Sequence, residues 1–529
     1  MSRRRLGVAV VTVWLALVAV QVRREAFRAP EDLLAASAAA LGPGSHFYTV
    51  RADGRAIGIA SSRLDTLPDG FVYDDLLTLD VPALDTLHRA TVRTRLTLDR
   101  ALAVRAFSFS LDSEIGRFTA DGESGADGTL TLRVGDAQGA RRHELGADVL
   151  LPAALTLRLA AAGRLEVGAE VEALVFDPSI LETRTVRLSV TARDTVLVPD
   201  SVIPAPGGGW SVQTYDTVPA WTIEQEFAGI RVRSRVDADG RLVSAESPLG
   251  FGMERTAFEL ARSAWEDASA EPAGGSGYGS IIEGTAIATG VIADARAREA
   301  LTVRLLGVEL DGFDLSGGRQ ALSGDTLRVR REVLPESVEW RLPWTADGAL
   351  ASGPEPARPG GGRARDAATP GPGPEALEST ALIQADDPRI LRAAREIARG
   401  ETDPLAVARA LNDWVYDALE KDITLSVPSA LQVLEAREGD CNEHTVLYVA
   451  LARALGLPAR TAAGLVHVDG RFYYHAWPEV WLDGRWVAAD PTLGQFPADA
   501  SHLRFLVGGL ARQVELVRLI GRLDLEVVG

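Results

Sequence analysis

The chain has 529 residues, enough for three or four domains with sizeable cores. Its net charge of −18 argues against a nucleic-acid partner, and a hydrophobic content of 46% excludes global disorder. Cys441 is the only cysteine, so no intramolecular disulfide forms and cysteine usage leaves the compartment open.

Arg3, Arg4 and Arg5 precede an apolar run from Leu6 to Val22, with Arg23, Arg24 and Arg28 beyond. The run is just long enough for a short membrane span. Ala16 and Ala19 are three apart and inside the run, which is the wrong spacing for a cleaved signal peptide. Residues 1–28 are therefore expected to form an inner-membrane signal anchor, with the rest exported to the periplasm or cell exterior.

Residues 29–275 read as a β-rich antiparallel domain. Val92, Leu96 and Leu98 alternate with polar residues, as do Leu130, Leu132 and Val134, and Asp239-Gly240 marks a turn. Ala257, Leu260, Ala261 and Trp265 predict one amphipathic helix over 253–267. Residues 276–345 read as a small β domain, through Leu301-x-Val303 and Leu327-x-Val329. These regions carry no catalytic constellation and suit a scaffold or a partner-binding surface. Proline and glycine then crowd residues 346–377, which read as a linker.

Residues 378–529 carry the chemistry. Asp387-Pro388 and Asp403-Pro404 each predict an N-cap followed by proline at the first helical position. Ser429-x-x-Gln432 predicts a capped third helix. A fourth helix is expected over 441–455, from the spacing of Val446, Leu447, Ala450, Leu451 and Leu455. Asp440 caps it, Glu443 completes a capping box, and Gly456 and Pro458 stop it. Cys441 is then the first helical residue, beside unpaired N–H groups and the positive dipole end, which favour thiolate; Asp440 opposes this.

Three strands follow, divided by Asp469-Gly470 and Asp483-Gly484, both hairpin signals. A turn at Asp483-Gly484 sets His475 opposite Thr492, with Asp490 as a diagonal neighbour of His475. A thiol at a helix start, a histidine on a strand and a carboxylate on the next make a Cys441-His475-Asp490 triad. In it the thiol attacks a carbonyl, the histidine moves the proton and the carboxylate fixes the imidazole. The Cys441 N–H is a candidate oxyanion donor.

Gly439-Asp440-Cys441, Arg453 to Arg460, His475-x-Trp477-x-Glu479-Val480 and Asp490-x-Thr492 together resemble the transglutaminase-like superfamily. The resemblance covers roughly residues 378–510 and implies an α+β, papain-like catalytic domain. It also implies that Cys441, His475 and Asp490 carry the triad roles, on a protein or peptide substrate of the cell envelope. The expected reaction cleaves or transfers an amide or isopeptide bond through a thioester, with hydrolysis slightly favoured because no amine-acceptor site is visible. The family also has inactive members, so a peptide- or partner-binding protein on the same scaffold is the alternative.

No cofactor is expected. Cys441, His444, His467 and His475 could form a zinc set, but Cys-x-x-His is half a signature and there is no second cysteine. His444 reads as a surface or cleft-rim residue and Glu479 as an ion-pair partner. Trp477, Trp481 and Trp486 are either core or walls of a cleft.

Overall fold

The structure is a computed structural model. It describes residues 30–528 apart from 271–285, 345–370 and short stretches at 84–85, 115, 126–128, 136–140, 146–148, 206–208, 228–229, 249 and 423–426. The expected anchor, Leu6 to Val22, lies outside the described residues, as does most of the linker. Among the described residues no helix is long and apolar enough to cross a membrane.

Alternating apolar side chains place one face of each strand in a core. Leu96 and Leu98 of strand Thr86–Asp99 are buried, as are Leu130, Leu132 and Val134 of strand Leu130–Val134. These strands belong to an antiparallel sheet of 14 strands. From the edge strand Arg141–Leu145 the order runs back along the chain to Gly44–Ala52, which pairs with Phe251–Thr256. It then runs back again to the other edge, Glu170–Asp177.

Leu150, a few residues beyond the first edge strand, reaches the second edge. The Leu150 N–H donates to the Leu174 carbonyl at 3.0 Å, and the Leu150 carbonyl accepts from the Phe176 N–H at 2.8 Å. Helix Pro152–Ala161 lies between the two halves. Leu157 packs with Leu96 and Phe107, whereas Leu155 and Leu159 pack with Val186 and Leu188. The sheet therefore curls around this helix. The helix expected over 253–267 spans only Phe258–Ala270, because 251–256 is taken as a strand by its pairing with 47–52. Here a tertiary pairing outweighs a local periodicity.

The C-terminal part packs helices Pro388–Ala398, Pro404–Ala418, Ala430–Ala436 and Cys441–Ala454 with a five-stranded sheet. Asp387 caps its helix as expected, accepting from the Arg389 N–H at 2.8 Å. The capping box expected at Ser429 is not made. Its hydroxyl instead accepts from Gln384 Nε2 at 2.9 Å, and Gln432 reaches the Arg117 carbonyl of the large sheet.

The small β segment is not a unit apart. Strand Ala300–Leu306 pairs with Thr326–Arg330 on one side and with the last strand, Asp524–Val527, on the other. Ile287–Ala288 extends the sheet of the C-terminal part by pairing with Arg471 and Phe472. Leu301, Val303, Leu305, Leu327 and Val329 share one core with Leu503, Phe505, Leu516, Leu519, Leu523 and Leu525. This covers the apolar side chains of the C-terminal run, so the expected boundary at 345 does not divide two cores. The end of the expected linker is likewise packed: Ala376 is buried against Trp481 and Trp486.

Candidate active site

Helix Cys441–Ala454 starts as its sequence dictates. Asp440 accepts from the Asn442 N–H at 2.8 Å, and Glu443 Oε2 accepts from the Asp440 N–H at 3.0 Å, closing the capping box. Gly439 has φ +153°, and a Cβ placed there would lie 2.3 Å from the Glu443 Cβ. Any side chain at 439 must displace Glu443, which completes the capping box of the Cys441 helix. Gly439→Ala should lower Tm by several degrees, the shift of ~1–2 kcal/mol in a domain of this size. It should also slow alkylation of Cys441; an unchanged melting curve would show that this turn gives way freely.

Cys441 is of intermediate exposure. Burial pushes its thiol up, the Asp440 carboxylate adds to this, and the Ala476 N–H, one residue after His475, works the other way. On balance these surroundings favour the thiol over the thiolate, so a base partner is called for.

The predicted register holds over 479–488. Leu482 faces Arg485 and Glu479 faces Ala488, around a turn with Asp483 at φ 48° and Gly484 at φ 74°. The ladder ends before Thr492 can meet His475. Instead Asp490 turns away to exchange backbone hydrogen bonds with Gln495 at 2.8 and 2.9 Å. The side chains still meet: His475 Nε2 is 2.8 Å from Asp490 Oδ2. Asp490 is fully buried, and its Oδ1 accepts from the Thr492 and Leu493 N–H groups, both at 2.9 Å.

His502, which no local pattern marked, completes the cluster. Its Nε2 lies 2.9 Å from Asp490 Oδ2 and its Nδ1 3.1 Å from Asp499 Oδ1. Burial alone would raise the Asp490 carboxyl, but His475 and His502 outweigh it and hold it far below the usual carboxylate range. Asp499 is held down in the same way, burial being overcome chiefly by His502. Burial lowers His502, yet the two carboxylates raise it on balance.

Other expectations resolve around this cluster. Glu479 is an ion-pair partner, its Oε2 bound by Arg460 Nε at 2.8 Å and its Oε1 by Arg504 Nη1 at 3.2 Å. His444 is fully buried rather than at a rim, with Nδ1 2.7 Å from the Asp440 carbonyl. His467 is bound to the Gly290 carbonyl at 3.0 Å. The zinc set therefore does not converge. Among the described residues, the three side chains that bring metal-type atoms together are His475, Asp490 and His502, within 4.8 Å of one another. Separations of 2.8 and 2.9 Å match hydrogen bonds. Two ligands on a tetrahedral ion with ~2.1 Å bonds lie about 3.4 Å apart.

Trp477 is core, packed with Ala462, Ala488 and Ala498. Trp486 walls a cavity of about 670 Å³ that opens beside Asn442, the residue after the cysteine. Ile180 and Leu181, in the turn that joins strand Glu170–Asp177 to strand Glu182–Pro204, form another wall of it.

Residues 392–491 match the family model of the transglutaminase-like superfamily. This stretch is a transglutaminase-like domain. It holds Cys441, His475 and Asp490, and His502 lies beyond its matched end. Among solved structures, the chain is similar to a "putative cysteine protease" of Cytophaga hutchinsonii, with 14% identity and TM-score 0.26 over 44% of this chain and 86% of that one. It is also similar to a β-barrel-like protein of Brucella abortus, with 14% identity and TM-score 0.30 over 41% of this chain and 95% of that one. At such scores neither likeness decides fold or activity. No curated protein matches the chain.

Proposed function

We propose that the transglutaminase-like domain is a cysteine acyl-transfer enzyme acting on an amide or isopeptide bond of a protein or peptide. The observation that carries this reading is the 2.8 Å contact of His475 Nε2 with Asp490, which leaves Nδ1 as the free ring nitrogen. Because burial keeps the thiol protonated, His475 takes its proton as the sulfur forms a bond to the carbonyl carbon. The imidazolium, supported by Asp490, then protonates the departing amine and a thioester remains on Cys441. Water resolves the thioester in a hydrolase and an amine in a transferase. Hydrolysis is slightly favoured, since the sequence shows no amine-acceptor site.

The raised thiol also supports a second reading, a peptide-binding protein in which Cys441 is idle. Alkylation by iodoacetamide separates the two. In the enzyme, His475→Ala should slow labelling of Cys441 about 10²-fold or more, the usual worth of a positioned base. Labelling at an unchanged rate would leave only the binder. The acyl group itself is to be trapped on Cys441 from cell-envelope extract and identified by mass spectrometry. That source is chosen because Leu6 to Val22, flanked by arginines, reads as an anchor.

A further inference from the structure

We propose that His502 is a positioning residue of this site: a permanently charged imidazolium, clamped between Asp490 and Asp499, that sets the basicity of His475. The inference rests on the reading of His475 as the base. Its warrant is geometric. Both ring nitrogens of His502 lie within hydrogen-bond distance of a carboxylate oxygen, at 2.9 Å from Asp490 and 3.1 Å from Asp499. An ionised carboxylate only accepts, so each nitrogen must carry a hydrogen, and an imidazole with two N–H groups is a cation. All three residues are buried, which makes neutralisation by solvent ineffective.

The clamp is built rather than incidental. Asp499 Oδ1 also accepts from the Ser501 N–H at 2.8 Å and the Ser501 hydroxyl at 2.6 Å. Arg319, from the small β segment, donates to the backbone carbonyls of Ala498 and Asp499 and faces Glu332 at 3.5 Å. The His502 ring lies 5.3 Å from that of Trp477 and 5.9 Å from that of His475. The charged or titratable groups around it are thus Asp490, Asp499 and His475, with the Arg319–Glu332 pair behind Asp499.

The effect on chemistry follows from sharing. Asp490 Oδ2 serves two imidazoles at once, so its charge is partly spent on the second of them, His502. A second positive charge near His475 also opposes protonation there. Both effects lower the proton affinity of His475 relative to a triad with an unshared carboxylate.

The test is the pH profile of Cys441 alkylation by iodoacetamide in the full chain. The step belonging to His475 is the one that disappears in His475→Ala. In His502→Gln, which keeps a donor but no charge, that step should move to higher pH by about one unit. Since His502→Gln leaves Asp499 buried without its counter-charge, the double variant Asp499→Asn/His502→Gln is measured beside it, and the step should move the same way. A step that stays in place in the folded variants overturns the proposal and leaves His502 a packing residue. A profile that lacks the His475 step in the parent protein instead removes the proposed function.

Discussion

Asp490→Asn is expected to cut the rate of acyl-enzyme formation by about 10⁴-fold, the loss seen when the carboxylate of a serine-protease triad is made an amide. The reason lies in how the four hydrogen bonds are divided. An asparagine can keep its oxygen on the Thr492 and Leu493 N–H groups. Its NH₂ then faces the two ring nitrogens that now donate to Asp490. A donor in that place forces His475 into the tautomer with its hydrogen on Nδ1, the nitrogen that has to take the thiol proton. Stopped-flow trapping of the thioester measures the loss, and circular dichroism checks the fold. A near-normal rate would move the acid role elsewhere. Glu479 is not the stand-in, since Arg460 and Arg504 occupy both of its oxygens.

The fragment 376–529 is expected not to fold, although its length is that of an ordinary domain and its sequence suggests independence. It lacks Leu301, Val303, Leu305, Leu327 and Val329, which cover the C-terminal leucines. Losing five such partners forgoes on the order of 10 kcal/mol of apolar burial, as much as the whole stability of a typical domain. The fragment should be insoluble, and 286–529, which restores those strands, should melt cooperatively. A soluble, cooperatively melting 376–529 would show that the C-terminal leucines find another cover.

The site was legible wherever chemistry and local geometry coincide in the sequence. Asp440, Glu443 and Gly456 wrote the ends of the Cys441 helix, and Asp483-Gly484 wrote the register over 479–488, beyond which Asp490 leaves the ladder yet still meets His475. His502 was not legible, because a single histidine beyond the last predicted strand carries no periodicity, and its role comes only from carboxylates met in space. The large antiparallel sheet was legible from alternation. Its curl was not, since that depends on Leu150 reaching Leu174 and Phe176 across the sheet. Nor was the union of 300–330 with the C-terminal strand, because pairings at such sequence separation leave no local mark.

The pairing of Asp524–Val527 with Ala300–Leu306 has a bearing on biosynthesis. A ribosome that has delivered Cys441, His475, Asp490 and Asp499 still withholds the strand that closes the neighbouring core. Strand 300–306 therefore keeps one edge unpaired until residues 524–527 have been synthesised. Folding of this core is therefore expected to follow synthesis of residues 524–527 rather than to proceed strand by strand as the chain emerges.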